Sequence, residues 1–486
     1  MNSPKPDPTA ATHWFSRLLQ YLGQIAGITI LLGILGYPVL HWRYFGPPPP
    51  WLAYGAVALG FGLALALWGA TRPCRIGLDW LAGLSRKAYV RILIVTCFIA
   101  HFIVLRVIDA LPQTQRAADP WGSWVYFEKS AMYPPGDAAL AAAVSFVLGP
   151  SGLATVLYVS VLVSAAAWLT YRIGILAFGE TAGRLAGLGL ALFPSWLLYG
   201  NFEYHLELGT LLLLIVYLFF VRPVRDHSFW YVAVMGIILG LTCLVKPIVL
   251  PFPVAAVVLY VAMGTAWGTA IKRAAILAAF MLLAIMPWTI RNYVVLNHFV
   301  LVSTNFGLVL HTANNPDSIG TEMAMPPQPG DTDEVVKDSR HLREAVDWIV
   351  HNPLQFLRLT AYRVTLTWGS DTAFINCNAC LYGKVPPLVL NAVRGVAQVA
   401  YLATVFLWVI GMFAYRREIM ASVISLALLS LVLHTWAIQL VMQAHSEHHM
   451  VILPSIIILA CGALACRAGV IITATGVLRD ERTQGD

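Results

Sequence analysis

Two kinds of charged residue mark where this chain could do chemistry. The first is a set of acids in the polar, aromatic segment 109–138: Asp109, Asp119 and Glu128. This segment follows directly on an apolar run. A carboxylate at the mouth of a helical membrane bundle can take a proton from a hydroxyl, which is general-base chemistry. A transporter more often keeps its acids inside its helices. The second kind is a cation in apolar surroundings. Lys246 sits deep in an apolar run, where a lysine costs about 2.5–3.5 kcal/mol on insertion scales. A lipid phosphate would offset that cost, and so would snorkelling to the interface. Arg291 lies just past another run and allows two readings, phosphate contact or interfacial anchor.

The elements that must position these residues are membrane helices. The chain has 486 residues, 59% hydrophobic and 11% charged, against about 25% charged in soluble domains. Such a composition cannot present an ordinary soluble surface. Sixteen Trp and nineteen Tyr suit interfacial belts. The formal charge of +7 lies between apolar runs, so it reads as membrane topology and not as nucleic-acid binding. The N-terminus is polar and Pro-rich, without a cleavable secretory signal, so the first span is expected to be retained.

A span needs about 20 mostly apolar residues, and about twelve runs qualify. They lie near 18–41, 52–71, 90–108, 152–177, 182–200, 206–221, 229–246, 248–264, 273–290, 389–414, 419–440 and 450–466. Arg72, Arg75, Arg86, Lys87 and Arg91 fill one short loop; Arg222 and Arg225, Lys272 and Arg273, and Arg416 and Arg417 mark others. All fall on one side if the spans alternate, and the positive-inside rule makes that side the cytoplasm. Both termini are then cytoplasmic. Segment 109–138, the long segment 291–388 and the stretch around His445–His449 face outward. The expected fold is an all-α polytopic membrane protein of about twelve transmembrane helices, with outer-face juxtamembrane helices and a small extracytoplasmic domain.

Four regions follow. Residues 1–89 hold two N-terminal spans, 90–290 a transmembrane core, 291–388 an extracytoplasmic segment, and 389–486 the C-terminal spans and a cytoplasmic tail. Within 291–388, HLREAVDWIVHN places Leu342, Val346 and Ile349 at helical spacing. Asn352-Pro353 breaks that helix. A second one, with Arg358 and Arg363 among Leu, Phe and Trp, is expected along the membrane surface. No internal repeat supports an inverted-repeat transporter.

Several strings, in order, resemble bacterial GT-C glycosyltransferases of the family 39 type. These are relatives of protein O-mannosyltransferases and of the lipid A aminoarabinose transferase. The strings are YPPGDAAL (133–140), FPSWLLYGNFEYHLE (193–207), GLTCLVKPIVLP (240–251), the stretch from Pro287 to Pro316, and AVDWIVHNPLQFLRL (345–359). The resemblance runs from about 90 to 466. It implies a membrane transferase that takes a sugar from a polyprenyl-phosphate donor on the outer face of the cell (inner) membrane. The acceptor would be an envelope glycan, lipid or protein. The leaving group is a phosphate, which cations must hold, and the acceptor hydroxyl needs a base.

On that resemblance Asp119 is the expected catalytic base, with Tyr126 beside the substrate. The family often has Asp-Glu where this chain has Asp119-Pro120. Asp109 is the rival, although Arg106 one turn before it offers a structural pair. Lys246 stands where the family commonly has Arg-Pro. Lys246, Arg291 and Lys129 are the expected phosphate ligands; a solvated loop charge also fits Lys129. Glu203, His205 and Glu207 either orient substrate or form a wet helix start. Asn305 and Asn314 could bond sugar hydroxyls or form turns.

In AHSEHHMVILP, His445 and His448 are expected substrate contacts, where the family usually shows Arg and Tyr. With Glu447 and His449 they allow a metal or a plain interfacial loop as well. No cofactor is certain, and a divalent cation is possible. Cys377 and Cys380 lie in a loop and fit a local disulfide or free thiols; Cys97, Cys243, Cys461 and Cys466 read as small buried hydrophobes. There is no P-loop, GxGxxG unit or HExxH. The competing functions are a flippase for lipid-linked sugars, which needs no external base, and a ligase for whole glycans.

Overall fold

The computed structural model describes residues 8–45, 50–69, 81, 83–109, 129–149, 151–199, 204–220, 226–321, 333–372, 386–421, 423–445 and 447–468. Among them the chain is mostly helix and holds no strand. The one β-type bridge among the described residues is an isolated parallel one between Thr321 and Ala444.

The N-terminal helices are α1 (Pro8–Phe45), α2 (Pro50–Gly69) and α3 (Arg86–Asp109). After segment 110–128 come α4 (Gly136–Leu148), α5 (Gly152–Phe178), α6 (Glu180–Ala191), α7 (Pro194–Tyr199) and α8 (Tyr204–Phe220). Then follow α9 (Phe229–Cys243), α10 (Phe252–Ala262) and α11 (Trp267–Leu296). Segment 291–388 holds α12 (Phe306–Ala313), α13 (Glu334–His351) and α14 (Pro353–Trp368). The chain closes with α15 (Pro387–Ala414), α16 (Arg416–Ala421), α17 (Val423–Gln439), α18 (Glu447–Met450) and α19 (Leu453–Arg467).

Among the described residues, five helices are long and apolar enough to cross a membrane: Ser16–His41, Arg86–Arg106, Leu153–Phe178, Trp267–Leu296 and Pro387–Ala414. Each coincides with an expected span. Six further expected spans coincide with shorter apolar helices. The expected span 182–200 is divided, because Pro194 cannot continue α6 and starts α7 instead. α3 exposes Ile92, Val95, Ile99 and Ile103, an apolar face that suits lipid.

Glycines set two close helix pairs. Gly174 of α5 meets Gly183 of α6; a Cβ on Gly174 would stand 2.8 Å from the Gly183 Cα. Gly236 and Gly240 bring α9 onto α11: a Cβ on either would lie 2.5 Å from the Leu277 or the Met281 carbonyl oxygen. Small residues four apart let membrane helices approach in this way.

Two buried polar nodes are built on α14 and the residues just after it. Arg363 of α14 is fully buried. It donates to the carbonyls of Leu440 and Ala313 and to Asn314 Oδ1. α14 therefore lies open only in its first half, where Leu354 and Leu357 are exposed. Its second half packs inside, and this departs from the expected surface helix because backbone carbonyls satisfy the guanidinium. In the second node, His449 Nε2 meets Asp371 Oδ1 at 2.9 Å while its Nδ1 donates to the Thr367 carbonyl at 2.8 Å. Ser195 Oγ donates to the other Asp371 oxygen. Asp371 and His449 are both fully buried, so this node ties α7, α14 and α18 together.

Candidate functional site

The segment after α9 builds the site. α9 ends at Cys243, and Pro247 bars helix at Lys246, which is extended (φ −135°, ψ 98°). The Lys246 amide folds back and donates to the Thr242 carbonyl at 2.7 Å. The side chain is thereby turned toward α18. Lys246 Nζ stands 3.6 Å from Glu447 Oε1, whose carboxylate also faces His445 Nδ1 at 3.5 Å and His448 Nδ1 at 3.8 Å. Burial pushes the His448 imidazole down to about 4, with Lys246, His445 and His449 adding to the effect against Glu447. His448 is thus a neutral hydrogen-bonding group at neutral pH.

Asp137 approaches Lys246 from the first turn of α4. This helix has 13 residues, too short to cross a bilayer. Burial raises the Asp137 carboxyl to about 7, and Lys246 works against the rise. Its Oδ1 is buried without a hydrogen-bond partner. The start of α4 is fixed on the bend itself: the Gly136 amide donates to the Leu244 carbonyl at 2.8 Å.

Two cavities adjoin at this bend. The first, about 910 Å³, is bordered by Lys246, Asn305, Asp338, His434, Gln439 and His448. The second, about 760 Å³, is mostly apolar and lies against Gly136, Leu140, Leu244, Val245, Trp288 and Arg291. Both are in the size range of small-molecule sites. Lys246 opens into the first, and its two preceding residues face the second.

Arg291 marks the polar rim of the second cavity. Its NH1 donates to the Ser130 carbonyl and to Asn292 Oδ1, each at 3.0 Å. Its guanidinium carbon lies 4.6 Å from the Trp288 ring centre, a cation–π contact. Its NH2 is buried with no hydrogen-bond partner. The end of segment 109–138 is anchored nearby: Glu334, in the first turn of α13, accepts from Ser130 Oγ at 2.6 Å and from the Ala131 amide at 2.7 Å.

The structure brings Lys246, His445 and His448 together, although they are far apart in sequence. It places Arg291 on the neighbouring cavity. Asn305 precedes α12, accepts from Ser303 Oγ at 2.9 Å and borders the first cavity. Asn314 is fully buried, and its amide is spent on Leu310, Val441 and Arg363. Lys129 is exposed. Asp119, Tyr126, Glu203, Cys377 and Cys380 lie outside the described residues, as do the side chains of Asp109, His205 and Glu207. Asp137 was not among the expected site residues. Its signal was an acid directly after Pro-Pro-Gly, at the start of an apolar helix.

Residues 133–290 match the family model of dolichyl-phosphate-mannose-protein mannosyltransferases. The match supports a GT-C superfamily glycosyltransferase. No curated protein matches the chain. The matched region begins at Tyr133 of the Pro-Pro-Gly motif and ends inside α11, one residue before Arg291. It takes in Asp137, Lys246 and the second cavity's helices. The GT-C likeness thus falls on the part of the molecule where α4 docks on the Lys246 bend.

Proposed function

We propose that the protein transfers a sugar from a polyprenyl-phosphate donor to an envelope acceptor on the outer face of the membrane. The observation that carries this reading is the pairing of two cations with adjoining cavities. Lys246 opens into a mostly apolar cavity that also carries Asn305, Asp338, His434 and Gln439, while Arg291 borders a second apolar one. A lipid-borne donor needs an apolar groove for its chain and cations for its phosphate. The orphaned NH2 of Arg291 is a donor in want of an acceptor. Lys246 and Arg291 bind the leaving phosphate, with Lys129 at the loop end. His445, His448 and Asn305 contact the sugar or the acceptor, together with Tyr126, Glu203, His205 and Glu207; Asn314 supports the cavity wall through Arg363.

In this reading Asp119 takes the acceptor proton as the hydroxyl attacks the anomeric carbon, and the polyprenyl phosphate leaves against the cations. About twelve spans, cytoplasmic termini and the four-region division complete the proposal. The resident membrane is the cell (inner) membrane, and no nucleic acid is involved.

The test is mass spectrometry of envelope glycans from native cells, a deletion strain and the deletion rescued with Asp119→Asn. One sugar mass lost from both altered strains supports the transferase and identifies the sugar class. Full recovery with Asp119→Asn removes that residue as the base.

A further inference from the structure

α12 and α13 carry a second cluster, apart from both cavities. His311 Nδ1 and His341 Nδ1 stand 3.0 Å apart. Glu344 Oε2 lies 3.6 Å from the first and 3.5 Å from the second. The other Glu344 oxygen is 3.9 Å from Arg340 Nε, so one oxygen is left to the histidines. A tetrahedral ion bound at about 2.0 Å by nitrogen and oxygen separates its ligand atoms by about 3.3 Å. The three observed edges bracket that value.

The rings are held in place before any ion arrives. His341 is nearly fully buried, and its Nε2 has no hydrogen-bond partner. Its orientation is therefore set by packing and by the Nδ1 side alone. The two rings stack with centroids 5.0 Å apart and planes 28° apart. α12 is seated on α13 at Gly307, where a Cβ would collide with the Asp338 carbonyl. Asp338 Oδ1 also accepts from the Leu308 amide at 2.9 Å. Two nitrogens and one carboxylate oxygen thus converge from two rigidly joined helices, and Glu344 leaves a fourth position open toward solvent.

We propose that His311, His341 and Glu344 bind one divalent transition ion of the zinc type. Imidazole with a single carboxylate suits such ions and not magnesium or calcium, which prefer all-oxygen sites. The ion would fasten α12 to α13. Val335, Asp338 and Ser339 of α13 border the first cavity, so the fastening would fix one wall of that cavity.

The experiment uses the full chain in detergent, stripped with a chelator and titrated with zinc chloride by calorimetry. Cobalt serves as the spectroscopic stand-in. The expected result is one zinc per chain and the visible absorption of tetrahedral cobalt. Glu344→Gln changes a half-exposed side chain and should fold. It should weaken zinc by more than the roughly 10–100-fold that an outer-shell change costs. His341→Ala should abolish the site. Absence of stoichiometric zinc would overturn the proposal. So would unchanged affinity in Glu344→Gln, or loss of binding in His445→Gln with Glu344→Gln unaffected, which would place the ion at the other histidine cluster.

Discussion

The Gly136 amide donates to the Leu244 carbonyl across 2.8 Å, joining the first turn of α4 to the bend that presents Lys246. A Cβ on Gly136 would stand 2.6 Å from Val245 Cγ2 and 2.9 Å from the Leu244 oxygen. Gly136→Ala must push α4 off the bend. Overpacking of this kind costs about 1–3 kcal/mol. The expected outcome is a lower melting temperature in detergent, together with reduced transfer, because Asp137 moves with α4.

Lys246→Gln removes the cation from the first cavity and its ion pair with Glu447. Loss of one group that stabilises developing charge costs about 10²–10³ in kcat. Transfer should fall by that order, while Lys246→Arg should retain part of the rate. A transfer assay with purified protein and a polyprenyl-phosphate sugar decides this. Equal rates for Lys246→Gln and the native protein would remove Lys246 from the chemistry.

Asp137 makes stability depend on pH. Its carboxyl titrates near 7 when folded and near 4 when unfolded. The folded state therefore holds the proton more tightly. Stability from this group is fully present below about 4 and is lost as pH rises to about 7. Asp137→Asn removes the titration. The melting temperature of Asp137→Asn relative to the native protein should rise between pH 4 and pH 7 and level off above. A constant difference across that window would contradict the assignment.

Asp371 and His449 offer a test of the second buried node. Asp371→Leu alone strands a buried imidazole and removes the acceptor of Ser195. Breaking a buried pair from one side costs about 3–5 kcal/mol. The double change Asp371→Leu with His449→Leu should be closer to native in a denaturation experiment, because both polar partners are gone.

The long apolar runs were legible because twenty consecutive apolar residues have few alternatives in water. α1, α3, α5, α11 and α15 follow those runs. α4 was not expected: only its first three residues fall in segment 109–138 and the rest precedes the expected span 152–177, while Pro134, Pro135 and Gly136 suit a turn; Pro135 instead precedes a helix start. The break at Pro194 was masked by apolar residues on both sides. The cation at Lys246 was legible from its cost alone. Its neighbours were not, because Glu447 and Asp137 reach it through tertiary packing that no local pattern encodes. The fate of Arg363 was hidden for a related reason: its partners are backbone carbonyls, which look alike in any sequence.

The seating of α9 on α11 through Gly236 and Gly240 fixes a spacing. Lys246 follows the end of α9, and Arg291 rides near the end of α11. Backbone touches backbone at both glycines, so the two helices move as one body. The two cations then act like the jaws of a caliper, set by main-chain contact and not by flexible side chains. A motion that widens the groove for an incoming lipid has to come from the opposite walls, α4 and α8, while the distance between the positive charges stays constant.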